Sequence, residues 1–98
     1  MSDVESDVTA VDGVPAPILA PTATAVLEHV VRSIVDDPSA VRVEGAEGRN
    51  RVRLEVRVGD GDLGRVIGRR GRTAQSIRTV VRAAASRDGV EVDVDFAD

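Results

Sequence analysis

Several absences narrow this 98-residue chain before any motif does. It has no cysteine, which excludes a disulfide framework, a thiolate nucleophile and a thiol-based zinc site, so the fold must rest on its apolar core alone. Tryptophan and tyrosine are missing and Phe96 is the single phenylalanine. No stretch approaches the roughly 18 apolar residues of a membrane span. Asp3, Glu5 and Asp7 stand where a secretory signal would carry positive charge. The expectation is a soluble, cytoplasmic protein without a membrane partner. The length allows one small domain, in which an active site with walls of its own is hard to build. Lysine is absent, so all 13 basic residues are arginine, and His29 is the one histidine.

The formal net charge of -4 conceals its arrangement. Asp3, Glu5, Asp7 and Asp12 precede every basic residue, and beyond them 13 acidic groups balance 13 basic ones. Arg65, Arg69, Arg70, Arg72, Arg78, Arg82 and Arg87 fall in a window, 65–87, that holds no Asp or Glu. A local electropositive surface is expected inside a neutral domain, and the global acidity is a poor guide to partners.

Residues 1–22 combine acidic residues with Gly13, Pro15, Pro17 and Pro21 and show no sustained period, which reads as a disordered tail ahead of a domain over 23–98. From Thr22 or Thr24 onward, Ala23, Val26, Leu27, Val30, Val31, Ile34 and Val35 recur at helical spacing. Val41 and Val43 then alternate with charged residues, Gly45–Asn50 reads as a turn, and Val52, Leu54, Val56 and Val58 alternate with Arg51, Arg53, Glu55 and Arg57, giving a hairpin. The run Gly59-Asp60-Gly61-Asp62 is a turn whose aspartate is placed to cap a short helix bearing Leu63, Val66 and Ile67. After Gly71 a longer helix is expected to bury Ala74, Ile77, Val80, Val81 and Ala84, with Arg72, Arg78 and Arg82 on the opposite side. Gly89 ends it, and Val90, Val92, Val94 and Phe96 alternate as a third strand. The predicted class is α+β in the order αββααβ, with helices covering one face of a three-stranded sheet.

Several motifs fail on physical grounds. The run GDGDLG (59–64) matches a dinucleotide fingerprint, but two aspartates would repel a pyrophosphate and Gly68 breaks the helix it opens after about one turn. Gly64 and Arg65 stand where a calcium loop needs a further Asp or Asn and then Gly, and no Gly-Lys-Ser/Thr exists for a Walker A loop. His29 sits with Glu28 and Arg32 on a polar helix side, and no serine has an evident activating base. Neither catalysis nor a metal or other cofactor is expected.

The stretch GRVIGRRGR (64–72) carries the chemistry. Gly68-Arg69-Arg70-Gly71 lies between two helices, where glycine tolerates unusual backbone angles and admits close approach of a ligand. The following helix points its free N–H groups at the loop, an arrangement suited to phosphate. Arg69 and Arg70 supply guanidinium forks, and Arg65 and Arg72 extend the field on either side.

VIGRRGR between two helices in an αββααβ order resembles the GXXG loop of a type II KH domain. The run DLGRVIGRRGRTAQSIRTVVRAAAS with its terminal strand is similar to small single-domain bacterial KH proteins of the KhpA family, over roughly residues 24–96. The resemblance implies that the loop clamps the backbone of about four single-stranded nucleotides beside an apolar groove for bases. Arg65, Ile67, Gly68, Arg69, Arg70, Gly71 and Arg72 are the RNA-binding residues it implies, with Ile67 lining the groove and the N–H groups of Gly68 to Gly71 joining the clamp. It also implies a cytoplasmic RNA chaperone or post-transcriptional regulator, acting as a homodimer or with a KhpB-like partner. Phe96 being the only aromatic residue argues against stacking platforms. Two alternatives remain: a protein interaction module on the KH fold, and single-stranded DNA binding, since the loop contacts need no 2′-OH.

Overall fold

Alternation in the central strand sets the two faces of the sheet. The structure is a computed structural model that describes residues 19–98. In β2 (Arg51–Arg57), Val52, Leu54 and Val56 are buried while Arg51, Arg53 and Arg57 are exposed, the period of a half-buried strand. Strand β1 (Arg42–Gly48) pairs with it antiparallel, Val43 opposite Val56 and Gly48 opposite Arg51. Strand β3 (Glu91–Ala97) pairs on its other side in parallel, Val92 beside Val52 and Val94 beside Leu54. The order is β1-β2-β3. A tight turn cannot deliver a parallel neighbour, so the chain between β2 and β3 crosses over through α2 (Leu63–Ile67) and α3 (Arg72–Ala85).

The hairpin is tighter than its composition implies. Ladder pairing continues through Gly45, Ala46, Glu47 and Gly48, leaving only Arg49 and Asn50 in the turn. Asn50 takes a φ of 60° there, a left-handed conformation that Asn tolerates better than most residues. Residues 45–48 lack an alternating apolar pattern because they are exposed. Backbone pairing to β2, not burial, makes them a strand.

The helices cover one face. Helix α1 (Pro21–Ile34) buries Ala23, Leu27 and Val31, one stripe at a spacing of four. Pro21 and Thr22, expected in the tail, belong to this helix, where proline suits the first turn. Ala20 is buried, and Leu19 lies over Gly45, where an added Cβ would stand 3.3 Å from the Leu19 Cβ. The rest of the expected tail, residues 1–18, lies outside the described residues.

On α3 the buried residues are Ala74, Ile77, Val81 and Ala85. Val80, expected inside, is 49% exposed, and Ala84 is only half-buried. At 100° per residue, Val80 sits about 105° from the centre of the buried stripe. Arg78, expected in solvent, is about 55° from that centre on the other flank and is half-buried. Arg72 falls nearly opposite the stripe, as expected, and Arg82 is exposed on the same flank as Arg78.

Two carboxylates tie α1 to the rest of the molecule. Asp88 accepts the N–H of Thr22 at 3.0 Å and of Ala23 at 2.9 Å, supplying from a distance the N-terminal cap that α1 lacks locally. Asp62 is buried and accepts the N–H groups of Asp36 and Asp37, each at 3.1 Å. It does stand at the N-cap position just before α2, where its carbonyl accepts the N–H groups of Arg65 and Val66. Its side chain caps nothing in α2, because the carboxylate is spent on the chain leaving α1.

Candidate functional site

The turn between α2 and α3 has the backbone that its glycines permit. Gly68 adopts φ 75°, ψ 175°, and a side chain there would overlap the Thr73 hydroxyl and lie 2.9 Å from the Thr73 nitrogen. Because backbone is among the atoms met, no rotamer change relieves the clash. Gly71 is also left-handed, φ 73°, but faces open space. Between them Arg70 is left-handed as well, φ 59° and ψ 25°, a conformation that costs a non-glycine residue about 1–2 kcal/mol.

This geometry redistributes the N–H groups. Gly68 N–H donates to Gly64 at 2.9 Å, Gly71 N–H donates to Gly68 at 3.1 Å, and Arg72 N–H donates to Arg69. The glycine N–H groups expected to hold a ligand are therefore spent inside the turn. Among the described residues, those of Arg69 and Arg70 have no acceptor. The first turn of α3 contains no acidic residue and receives no side-chain cap, so its positive dipole end is uncompensated at the loop.

The seven arginines of the acid-free window divide into three groups. Arg65 is drawn back into the fold: its Nη2 bonds Asp36 at 2.9 Å and its Nε lies 3.5 Å from Asp62. Carboxylates thus already meet the charge expected to extend the field before the loop. Arg78 donates Nε–H to the Val94 carbonyl at 3.2 Å and Nη1–H to Gln75 at 3.3 Å, and its guanidinium lies 5.2 Å from the centroid of Phe96. Arg69, Arg70, Arg72, Arg82 and Arg87 are exposed and have no ion pair among the described residues. Ile67, the last residue of α2, is half-buried beside Gly68. The structure thus brings Ile67, Gly68, Arg69, Arg70, Gly71 and Arg72 together at one turn and diverts Arg65.

Other regions differ in character. On the uncovered face of the sheet, Arg51 pairs with Glu91 at 2.8 Å and with Asp93, and Arg53 pairs with Asp95 at 3.1 Å. Arginines there are balanced by acids on the neighbouring strand. An open cleft of about 470 Å³ lies away from the loop, between Arg82 and Ser86 of the α3 end and Val90, Val92 and their neighbours. Among the described residues no three His, Cys, Asp or Glu side chains are grouped to hold a metal ion, and no helix is long and apolar enough to cross a membrane. His29 is exposed, next to the Glu28–Arg32 pair at 3.6 Å.

The sequence pattern did not disclose Arg78, Phe96, Asp62 or Asp88. The signal for Arg78 was its place at the margin of the apolar stripe, one residue after Ile77. For the aspartates no local signal existed.

Comparison with known proteins places this geometry. The chain resembles RNA-binding protein KhpA of Streptomyces coelicolor, 54% identical over 68 residues that cover 69% of this chain and 85% of the relative. The protein of that name from Leifsonia xyli is 52% identical over 77 residues, 79% of this chain and 96% of the relative. That of Mycobacterium tuberculosis is 50% identical over 68 residues, 69% and 84% of the two chains. Among solved structures, Era from Aquifex aeolicus bound to GDP.AlF4- superposes with a TM-score of 0.61 at 17% identity, over 88% of this chain and 33% of that one. Era in complex with MgGDPNP and a 16S ribosomal RNA segment gives 0.62 at 17% identity, over 88% and 32%. At that identity these structures bear on the fold alone. The family model for the KH domain of KhpA and KhpB matches residues 24–96, and with the identity to KhpA relatives this shows that the chain belongs to the KhpA/KhpB family of KH domains.

Proposed function

We propose that the chain binds single-stranded RNA by clamping its sugar-phosphate backbone at Gly68-Arg69-Arg70-Gly71. One observation carries this reading. The turn leaves the Arg69 and Arg70 N–H groups without an acceptor and both side chains exposed, with no carboxylate paired to either among the described residues. Phosphate oxygens match such a set because each is a strong acceptor bearing negative charge. Arg72 adds charge on the outer side of α3, and Ile67 offers an apolar surface for a base beside the loop. Arg65, held by Asp36 and Asp62, positions α2 and contributes little to the clamp. The KhpA relatives, each named an RNA-binding protein, support the same ligand class.

The chain acts by binding rather than catalysis, in the cytoplasm, as an RNA chaperone or post-transcriptional regulator. The domain takes in residues 19–98, since Pro21 and Thr22 open α1 and Ala20 belongs to the core. A module that holds about four nucleotides binds weakly alone. A second copy or a KhpB-like KH protein therefore supplies further RNA contacts through avidity.

The test replaces Arg69 and Arg70 together by Asp. Both side chains are exposed, and Asp accepts the left-handed conformation at position 70, so circular dichroism and melting temperature should hold. Binding to a short single-stranded RNA should be lost, and the parent's dependence of log affinity on log salt should have a slope of about -0.7 per phosphate held. Unchanged RNA affinity in the double variant would sink the proposal. A parallel titration with DNA of the same sequence shows whether the 2′-OH matters.

A further inference from the structure

We infer that the guanidinium of Arg78, laid over Phe96 on the flank of α3, is a stacking platform for a base of the strand held at the loop. This rests on the RNA-binding reading above and adds to it a residue that takes no part in the phosphate clamp.

Position comes first. Arg78 lies seven residues after Gly71, about 10 Å along the helix, on the flank of α3 that faces β3. β3 is an edge strand, with β2 on one side only. A strand whose phosphates sit at the loop and which runs along this flank passes directly over the Arg78–Phe96 pair.

Orientation is the second point. Three contacts fix the planar group: Nε to the Val94 carbonyl at 3.2 Å, Nη1 to Gln75 Oε1 at 3.3 Å, and the Phe96 ring 5.2 Å away. An arginine usually loses much side-chain freedom when it captures a ligand. Here that freedom is already lost in the folded protein. The guanidinium carbon lies over the ring and the side chain is only half-buried, so part of the group is left open to a base. No carboxylate pairs with it among the described residues, which leaves the full charge to act on the π-face of a base.

The chemistry is the third. Arginine planes, like aromatic rings, stack on unpaired bases, and such contacts tolerate any base because each has a π-face. With Phe96 as its one aromatic residue, the chain has no ring to spare for a bare stacking surface. Placing that ring beneath an arginine makes one cationic platform from two side chains. The contact would supply affinity with little choice of sequence.

The experiment uses the full chain, a mixed-sequence RNA of about eight nucleotides, and a series of the same RNA with one base at a time removed. Arg78→Lys keeps the charge and most of the stem but loses the plane and the fork. Phe96→Leu keeps an apolar group and leaves Arg78 in place. Anisotropy at fixed salt should show Arg78→Lys binding the intact RNA about tenfold more weakly, with the salt slope unchanged. On one abasic RNA the parent should be weakened to a similar degree, and there the Lys variant should match the parent. Phe96→Leu should give the same pattern with a smaller loss. An arginine that only tied α3 to β3 would lower the melting temperature and penalise every RNA of the series alike, and that result overturns the inference. So does a Lys variant as tight as the parent while Arg69→Asp/Arg70→Asp fails to bind, which leaves the clamp standing. A parent that binds no RNA removes both.

Discussion

The two loop glycines differ in what surrounds them, and alanine should separate them. Both have positive φ, 75° at Gly68 and 73° at Gly71. At Gly71 the ψ of 14° keeps the residue in the left-handed helical region and an added Cβ meets nothing within 4 Å. Alanine there costs about 1–2 kcal/mol of strain, reduced by up to about 1 kcal/mol because it also restricts the unfolded chain. A net loss of about 1 kcal/mol lowers the melting temperature of so small a domain by about 5 °C. At Gly68 the ψ of 175° lies in a region occupied almost solely by glycine, with strain of about 1–3 kcal/mol. The Cβ would in addition lie 2.9 Å from the Thr73 nitrogen, so the first turn of α3 must shift. Gly68→Ala should lose about 3 kcal/mol or more, or about 15 °C, by urea titration or thermal melting followed by circular dichroism. Equal losses at the two positions would refute the close approach of Gly68 to Thr73 as the reason for this glycine.

Asp62 and Asp88 give two further tests. Asp62→Ala removes the acceptor of the Asp36 and Asp37 N–H groups; at about 1.5 kcal/mol for each bond to a charged group, the loss should be about 3 kcal/mol in urea titration. Asp62→Asn, which keeps one acceptor oxygen, should lose about half that; a silent Ala variant would contradict the assigned bonds. For Asp88, desolvation works to raise the carboxyl pKa, but the bonds from the Thr22 and Ala23 N–H groups, with a further contribution from the Thr22 hydroxyl, hold it below its ordinary value of 3.8. A depressed folded pKa means stabilisation that is fully present above that ordinary value and lost as pH falls through the folded one. Asp88→Asn should therefore be less stable than the parent at neutral pH, and the gap should close on acidification below about pH 4. A gap of constant size would show that the charge of Asp88 does not matter.

Features with a local physical cause were legible in the sequence. The alternation of Val52, Leu54 and Val56 with charged neighbours marked β2 because half of that strand is buried and half is wet. The loop was legible because its two glycines and two arginines are adjacent in the chain. What escaped depended on distance or on fine angles. Asp62 looked like a cap for the helix it opens, and only the folded chain brings Asp36 and Asp37 closer to its carboxylate. Val80 and Ala85 are both apolar, so composition could not say which of them the fold would bury. The charge of Arg78 alone points to solvent, although at the stripe's margin a long side chain can rest on a ring and still reach acceptors with its donors. The Gly68 and Gly71 N–H groups have no evident acceptor in the sequence, because the internal bonds of the turn depend on dihedral angles that the sequence does not state.

Asp62 immediately precedes α2, and Asp88 follows α3. Between them they fasten the two ends of the loop-bearing helix pair to the two ends of α1. The first helix therefore serves as a gauge block. Its 14 residues, about 21 Å of helix, fix how far apart the pair's feet stand and so how the turn between them is presented. A residue inserted into α1 would touch nothing in the loop, yet it would re-aim it.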